Sequence, residues 1–200
     1  MADKLEKKIT LLLGTFFAGA VFFYSFTQPF QPDAVHCAIP QEATFVFKAE
    51  NLDELLNSPV CGQIEKALGT GTSLRAIAES NDWINLAAAS EIAVADLPFR
   101  SAGRQKTWAA SSWVGWRSPW LRWKLEAAEG GKLQFMGKHA VWPVWTYADP
   151  ELITGLHLTF ALTDNVLLAC LSENPTDILI LLDTYDGKLA AFNEEKQYDD

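Results

Sequence analysis

The sequence predicts an α+β protein, with an N-terminal single transmembrane helix followed by one domain that has a mainly antiparallel sheet and several short helices. Three observations support this prediction. The chain has 200 residues, enough for one domain of about 100 to 150 residues and additional segments. A long uncharged apolar run lies near its start. In the remainder, candidate strands outnumber candidate helices, and most of their connections are typical of antiparallel pairing.

The composition excludes two classes of protein. Apolar residues make up 49% of the chain and charged residues 20%, which is the composition of a folded globular protein rather than a disordered one. The net charge is -9. Because nucleic-acid affinity depends on neutralising phosphates with basic residues, we expect no nucleic-acid partner.

Residues 9–26 are predicted to form the transmembrane anchor. These 18 residues would span roughly 27 Å as a helix, close to the thickness of the hydrocarbon core of a bilayer. Three lysines lie within residues 1–8, whereas residues 27–47 contain no Lys or Arg. The positive-inside rule therefore predicts a single-pass protein of the bacterial inner (plasma) membrane, with a cytoplasmic N-terminus and the domain outside the cytoplasm.

A cleaved signal peptide is the competing interpretation of this run, because Ala18, Gly19 and Ala20 have the spacing of a cleavage site. Cleavage there would leave an exposed apolar terminus, so we favour the uncleaved anchor. The prolines that follow predict an extended tether over 27–43. The domain is expected at 44–187 and a polar tail at 188–200.

The three cysteines would lie in a compartment where disulfides persist. Cys37 and Cys61 both occur in loop-like sequence, so we predict a disulfide between them, whereas Cys170 is expected to be a small buried apolar residue. An alternative zinc site has no recognisable ligand spacing, and we expect neither metal nor cofactor. That alternative would combine Cys37 with His36, His139 or His157.

Each element of the domain is predicted from local pattern. Strands are predicted where β-branched and aromatic residues concentrate, and a hairpin where two apolar runs flank Thr163-Asp164-Asn165. Helices are predicted after Asn51, Ser118-Pro119 and Asn174-Pro175, which are helix-start signals. The expected strands are 44–48, 92–95, 107–114, 132–136 and 141–147, with the hairpin at 156–171. The expected helices are 51–56, 63–68, 74–79, 118–128 and 176–184.

The chain resembles large uncharacterised bacterial envelope proteins that carry a membrane-anchored extracytoplasmic domain. The features shared are the anchor, the first strand, the Asn-Leu-Asp helix with its Ser-Pro, and the later Trp-Val-Gly-Trp segment. The resemblance covers Thr44 to about Gly187 and implies no catalytic residue.

The most unusual stretch is rich in tryptophan and basic residues. Seven of the eight tryptophans fall between positions 108 and 145. Residues 100–138 contain eight basic and two acidic residues, a net charge of +6, so the remainder carries -15. The binding residues proposed from this stretch are Trp113, Trp116, Arg117, Trp120, Arg122, Trp123 and Lys124.

Three interpretations of the tryptophans stay open at this point. They could form the core, with Arg and Lys stems lying over the indole rings. They could face lipid headgroups. They could also bind a glycan or an anionic partner of the envelope.

The sequence contains no catalytic motif, so a non-catalytic binding or assembly role in the cell envelope is favoured. The alternative is a glycan-binding or glycan-active protein of the envelope. A hydrolase would need two carboxylates across a cleft, and the best candidates are Asp149 and Glu151, near His139 and His157. The two acids flank Pro150 in turn-like sequence, so a solvated loop explains them better.

Overall fold

The structure is a computed structural model, and it describes residues 13–21, 33–68, 73–80, 82–98, 107–128, 132–147 and 155–192. The chain divides into two compact units, Met1–Phe30 and Gln31–Asp200. In the first unit the structure describes one helix, α1, over residues 13–21.

The prediction of a transmembrane helix over 9–26 is wrong. The helix described within that run has nine residues, and the other residues of the run lie outside the described part of the chain. Within the described residues, no helix has both the length and the apolar character needed to cross a membrane. The location outside the cytoplasm rests on that anchor and stays a prediction.

The second unit is built on an antiparallel sheet with helices, so the α+β class fits. Among its described residues, seven strands form one sheet in the order β1-β2-β3-β7-β6-β5-β4, and every neighbouring pair is antiparallel. The strands are β1 Phe45–Ala49, β2 Ile92–Leu97, β3 Thr107–Trp113, β4 Leu133–His139, β5 Trp142–Tyr147, β6 His157–Leu162 and β7 Val166–Ser172. The helices are α2 Asp33–His36, α3 Leu52–Asn57, α4 Pro59–Leu68, α5 Leu74–Ser80, α6 Asp82–Ala87, α7 Ser118–Ala127 and α8 Ile178–Tyr185, with 3₁₀ turns at Gly115–Arg117 and Pro175–Asp177.

The sheet is buried on both faces because its central strands carry apolar residues at successive positions, which point to alternate faces. Trp108 and Leu167 belong to one core, which also contains residues of α4, α6 and α7. Ala109 and Leu168 belong to the other, which also contains residues of α2 and α8. The two cores therefore lie on opposite sides of one sheet.

The predicted tether over 27–43 is not extended throughout. Residues 33–36 form α2, and Val35, Ala38 and Ile39 are fully buried in the core that contains α8. The segment is fixed at its end by the pairing of Pro40 with Ala191. Burial of three apolar side chains explains why this stretch joins the domain instead of standing off from it.

All three cysteines are free thiols in the structure, so the predicted Cys37–Cys61 disulfide is not formed there. The neighbours of Cys37 pack into the core beside α8, whereas Val60, next to Cys61, packs into the core on the other side of the sheet. Cys170 is fully buried, as predicted, and burial raises the pKa of its thiol to about 12.

The predicted helix starts and the hairpin are confirmed. The Asn51 side chain accepts a hydrogen bond from the Glu54 amide at 3.0 Å, and the Asn174 side chain accepts one from the Thr176 amide at 3.1 Å. The Asn174 corner first makes a 3₁₀ turn, so α8 begins two residues later than predicted. Helices α2 and α6 were not predicted from the sequence.

Candidate functional site

The eight tryptophans, all within the described residues, fall into three groups by exposure. Trp142 is half-buried, and its indole Nε1 donates a hydrogen bond to Asp186 at 2.9 Å. The core interpretation is therefore right for the buried group, whereas the side chains of the exposed group form part of the surface. The buried tryptophans are Trp83, Trp108, Trp113 and Trp145, and the exposed ones are Trp116, Trp120 and Trp123.

The exposed group lies along one side of α7 and of the 3₁₀ turn that precedes it. Trp116, Trp120 and Trp123 follow one another at spacings of four and three residues, which places them on one face of a helix. Leu121 and Leu125, on the opposite side, are fully buried in the core. We call the side chains of Trp116, Trp120 and Trp123 the tryptophan face; they are 49%, 61% and 60% exposed, respectively.

Gly115 sets the direction of the chain where β3 ends and the 3₁₀ turn that carries Trp116 begins. Its φ is +53°, a conformation that residues other than glycine rarely adopt, and a Cβ there would lie 2.8 Å from Nε1 of the buried Trp113. The amides of Val114 and Gly115 both donate to the Asn165 carbonyl, at 2.7 Å and 3.0 Å. The turn is thus fixed to the β6–β7 hairpin.

Arg117 holds the start of α7 instead of facing solvent. Its guanidinium donates to the Trp113 carbonyl at 2.9 Å, to the Val114 carbonyl at 3.1 Å and to the Ser90 hydroxyl at 2.5 Å. Burial lowers the pKa of this guanidinium from its ordinary value. Two of the proposed binding residues therefore serve the fold: Trp113 is buried in the core, and the guanidinium of Arg117 is occupied by these hydrogen bonds.

The other two basic residues of the proposed binding set lie on α7. The exposed Arg122 donates to the carboxylate of Glu126 at 2.9 Å, an i,i+4 ion pair on the surface of the helix. Lys124 is half-buried on α7. Five of the seven proposed binding residues are thus brought together on this helix and its entrance: Trp116, Trp120, Arg122, Trp123 and Lys124.

The other candidate side chains occupy separate places. His139 lies 3.0 Å from Asp183, whose pKa is lowered chiefly by its hydrogen bonds with Lys188 and His139. His157 is exposed on β6. Asp149 and Glu151 lie outside the described residues. In the described part of the chain, no group of three or more His, Cys, Asp or Glu side chains is placed to hold a metal ion.

The turn at Gly115 was not predicted from the sequence, although the sequence contains one signal for it. A glycine between a strand and a proline-started helix, inside Trp-Val-Gly-Trp, marks a turn that requires positive φ.

Comparison with known proteins gives no relative from which a role could be transferred. The chain matches no protein-family model, no curated protein and no solved structure. The resemblance to envelope proteins therefore stays a prediction, and a function has to be argued from the tryptophan face itself.

Proposed function

We propose that the protein has a non-catalytic binding role and that the tryptophan face docks onto an acidic partner protein. The observation that carries the proposal is the exposure of three large indoles along one side of α7 and of the 3₁₀ turn before it, each about half or more accessible to solvent. Large apolar side chains grouped on a surface mark interaction sites in soluble domains.

The spacing of the indoles favours a protein as the partner. Anchors at i, i+4 and i+7 on one helix face are the pattern that protein grooves recognise. Tryptophan and arginine are also the residue types most enriched at positions that dominate binding energy. With roughly 100 to 150 Å² of exposed area on each indole, the face would supply about half of the 800 Å² that a standard interface buries on each side. The neighbouring exposed residues Pro119 and Ala127 extend it.

The charges beside the face favour an acidic partner. Arg122 and Lys124 lie on the same helix, and only Glu126 opposes them there. The surrounding stretch of sequence carries +6, while the remainder carries -15. Complementary charge would speed association and select against basic partners, and binding should weaken as salt is added.

Photo-crosslinking from the tryptophan face tests the proposal. Trp123 is replaced by the photoreactive amino acid p-benzoylphenylalanine, which keeps an aromatic side chain, and the cells that make the protein are irradiated. We expect one dominant protein adduct. The matched control carries the same amino acid at Val141, which is also exposed but lies in the β4–β5 turn.

The captured protein must then bind the purified chain directly. We expect binding that weakens with salt and falls at least tenfold in Trp120→Ala/Trp123→Ala, while Val141→Ala binds normally. Equal adducts at both positions, or a partner indifferent to the two tryptophans, would overturn the proposal. Retardation of the wild-type chain, but not of the double variant, in a gel containing polygalacturonate would replace it with the glycan alternative.

A further inference from the structure

An apolar cavity lies between the sheet and the helices on the side away from α8. Its volume is about 210 Å³. One wall is formed by strands β2, β3, β6 and β7, and the other by helices α3 to α6. Residues that represent the two walls are Ala110, Leu158 and Ala169 from the strands, and Leu55, Ile77 and Ile84 from the helices.

Two alanines make the space. Ala110 and Ala169 are cross-strand partners on β3 and on β7, the central strand of the seven described strands. The pairs on either side of them on the same face are larger: Trp108 with Leu171, and Ser112 with Leu167. Both alanines are only half-buried, although they lie in the middle of a sheet covered on both faces. The helices therefore do not fill the surface above them.

The wall of the cavity is almost entirely apolar. Among the lining side chains with polar groups, Ser112 donates its hydroxyl to the Ala87 carbonyl at 2.5 Å, so that donor is already used. Because its walls offer few hydrogen-bonding groups, the space favours a hydrocarbon chain over a polar or charged molecule.

We propose that this cavity binds an unbranched alkyl chain of about eight carbons, with the polar end of the ligand at the opening. An engineered apolar cavity of about 150 Å³ takes up benzene, and the space here is somewhat larger. It is smaller than the pockets of roughly 300 Å³ and above that enclose drug-sized molecules. The half-exposed lining residues, such as Ile64 and Leu74, show that the cavity is open to solvent on one side.

Quenching of tryptophan fluorescence by 8-bromo-1-octanol tests this proposal, because the heavy bromine atom quenches indoles at short range and two tryptophans, Trp83 and Trp108, line the cavity. We expect saturable quenching of part of the emission, with one ligand per chain. The probe 1-octanol, which does not quench, should compete and should raise the melting temperature.

Alanine-to-leucine variants in the cavity wall reduce the space for the ligand, and the same change at an exposed position is the matched control. Ala110→Leu and Ala169→Leu each place extra carbons in the space, so we expect at least a tenfold loss of affinity. Ala190→Leu adds the same carbons at an exposed position that does not line the cavity and should bind like the wild type. If a leucine variant unfolds, the smaller change Ala169→Val replaces it. We expect a partial loss of affinity in that variant.

Non-saturating quenching in the wild type, or equal affinity in the folded filled variants, would overturn the proposal. The outcome is independent of the tryptophan face, because Trp120→Ala/Trp123→Ala leaves every lining residue in place.

Discussion

Two groups of tryptophans from one stretch of sequence have opposite surroundings. Those on strands β3 and β5, such as Trp108 and Trp145, lie in the core, whereas Trp120 and Trp123 on α7 point to solvent. The sheet is covered on both faces at Trp108 and Trp145, so these two side chains are buried. The helix is covered on one side only. The comparison teaches that the surroundings of the element that carries an aromatic residue, more than the residue type, decide whether its side chain is buried or exposed.

The largest expected effect separates the two groups by stability. Trp145 is 1% exposed, so Trp145→Ala should lower the free energy of unfolding by about 3 to 5 kcal/mol. Trp120→Ala removes little buried area and should change it by less than about 1 kcal/mol. Urea unfolding followed by circular dichroism measures both. Similar losses in the two variants would show that the exposed indoles belong to the core after all.

Arg117 and Arg122 show the same contrast between a side chain that serves the fold and one on the surface. Arg117→Gln loses charged hydrogen bonds to two carbonyls and a hydroxyl, so the expected cost is about 1.5 to 3 kcal/mol. Arg122→Gln loses one exposed ion pair, worth about 0.5 kcal/mol. Chemical denaturation of both variants ranks them. A larger loss of unfolding free energy in Arg122→Gln than in Arg117→Gln would contradict the structural role of Arg117.

The glycine that directs the tryptophan face should not tolerate a side chain. Gly115→Ala meets positive φ and the indole of Trp113, and we expect a loss of about 1 to 3 kcal/mol. Gly62 is the matched control, because it lies inside helix α4 with open space around it. Gly62→Ala should stabilise the protein by about 0.5 to 1 kcal/mol. The melting temperatures of the two variants measure these effects. A shift in the same direction for both variants would contradict the role assigned to Gly115.

The smallest effect concerns the site near the half-buried Trp142, where Lys188 bridges Asp183 and Asp186. Hydrogen bonds lower the pKa of Asp183 from 3.8, so its ionised form is favoured in the folded state. The contribution to stability is complete above that value and is lost as the pH falls through the lowered pKa. Melting temperatures of the wild type and Asp183→Asn should differ near neutral pH and converge in acid. A gap that widens in acid would refute the assignment.

Much of the fold follows from local sequence patterns. Asn51 and Asn174 predicted the helix starts, and the two apolar runs around Thr163-Asp164-Asn165 predicted the β6–β7 hairpin. The first helix of the domain was missed because the prolines around α2 are compatible both with extended chain and with the first turn of a helix.

The exposure of the tryptophan face and the presence of the cavity could not be predicted from sequence alone. Helix α7 carries Trp120 and Trp123 on one side and Leu121 and Leu125 on the other, so its apolar pattern does not say which side faces the core. The cavity depends on the register that pairs Ala110 with Ala169, which are far apart in the sequence. Long-range strand pairing leaves no local signal of that kind.

The most direct test of the central claim is the affinity of Trp120→Ala/Trp123→Ala for the crosslinked partner, measured together with the free energy of unfolding of the same preparation. The account predicts at least tenfold weaker binding at a free energy of unfolding within about 1 kcal/mol of the wild type. Unchanged binding, or binding and stability lost together, would contradict it.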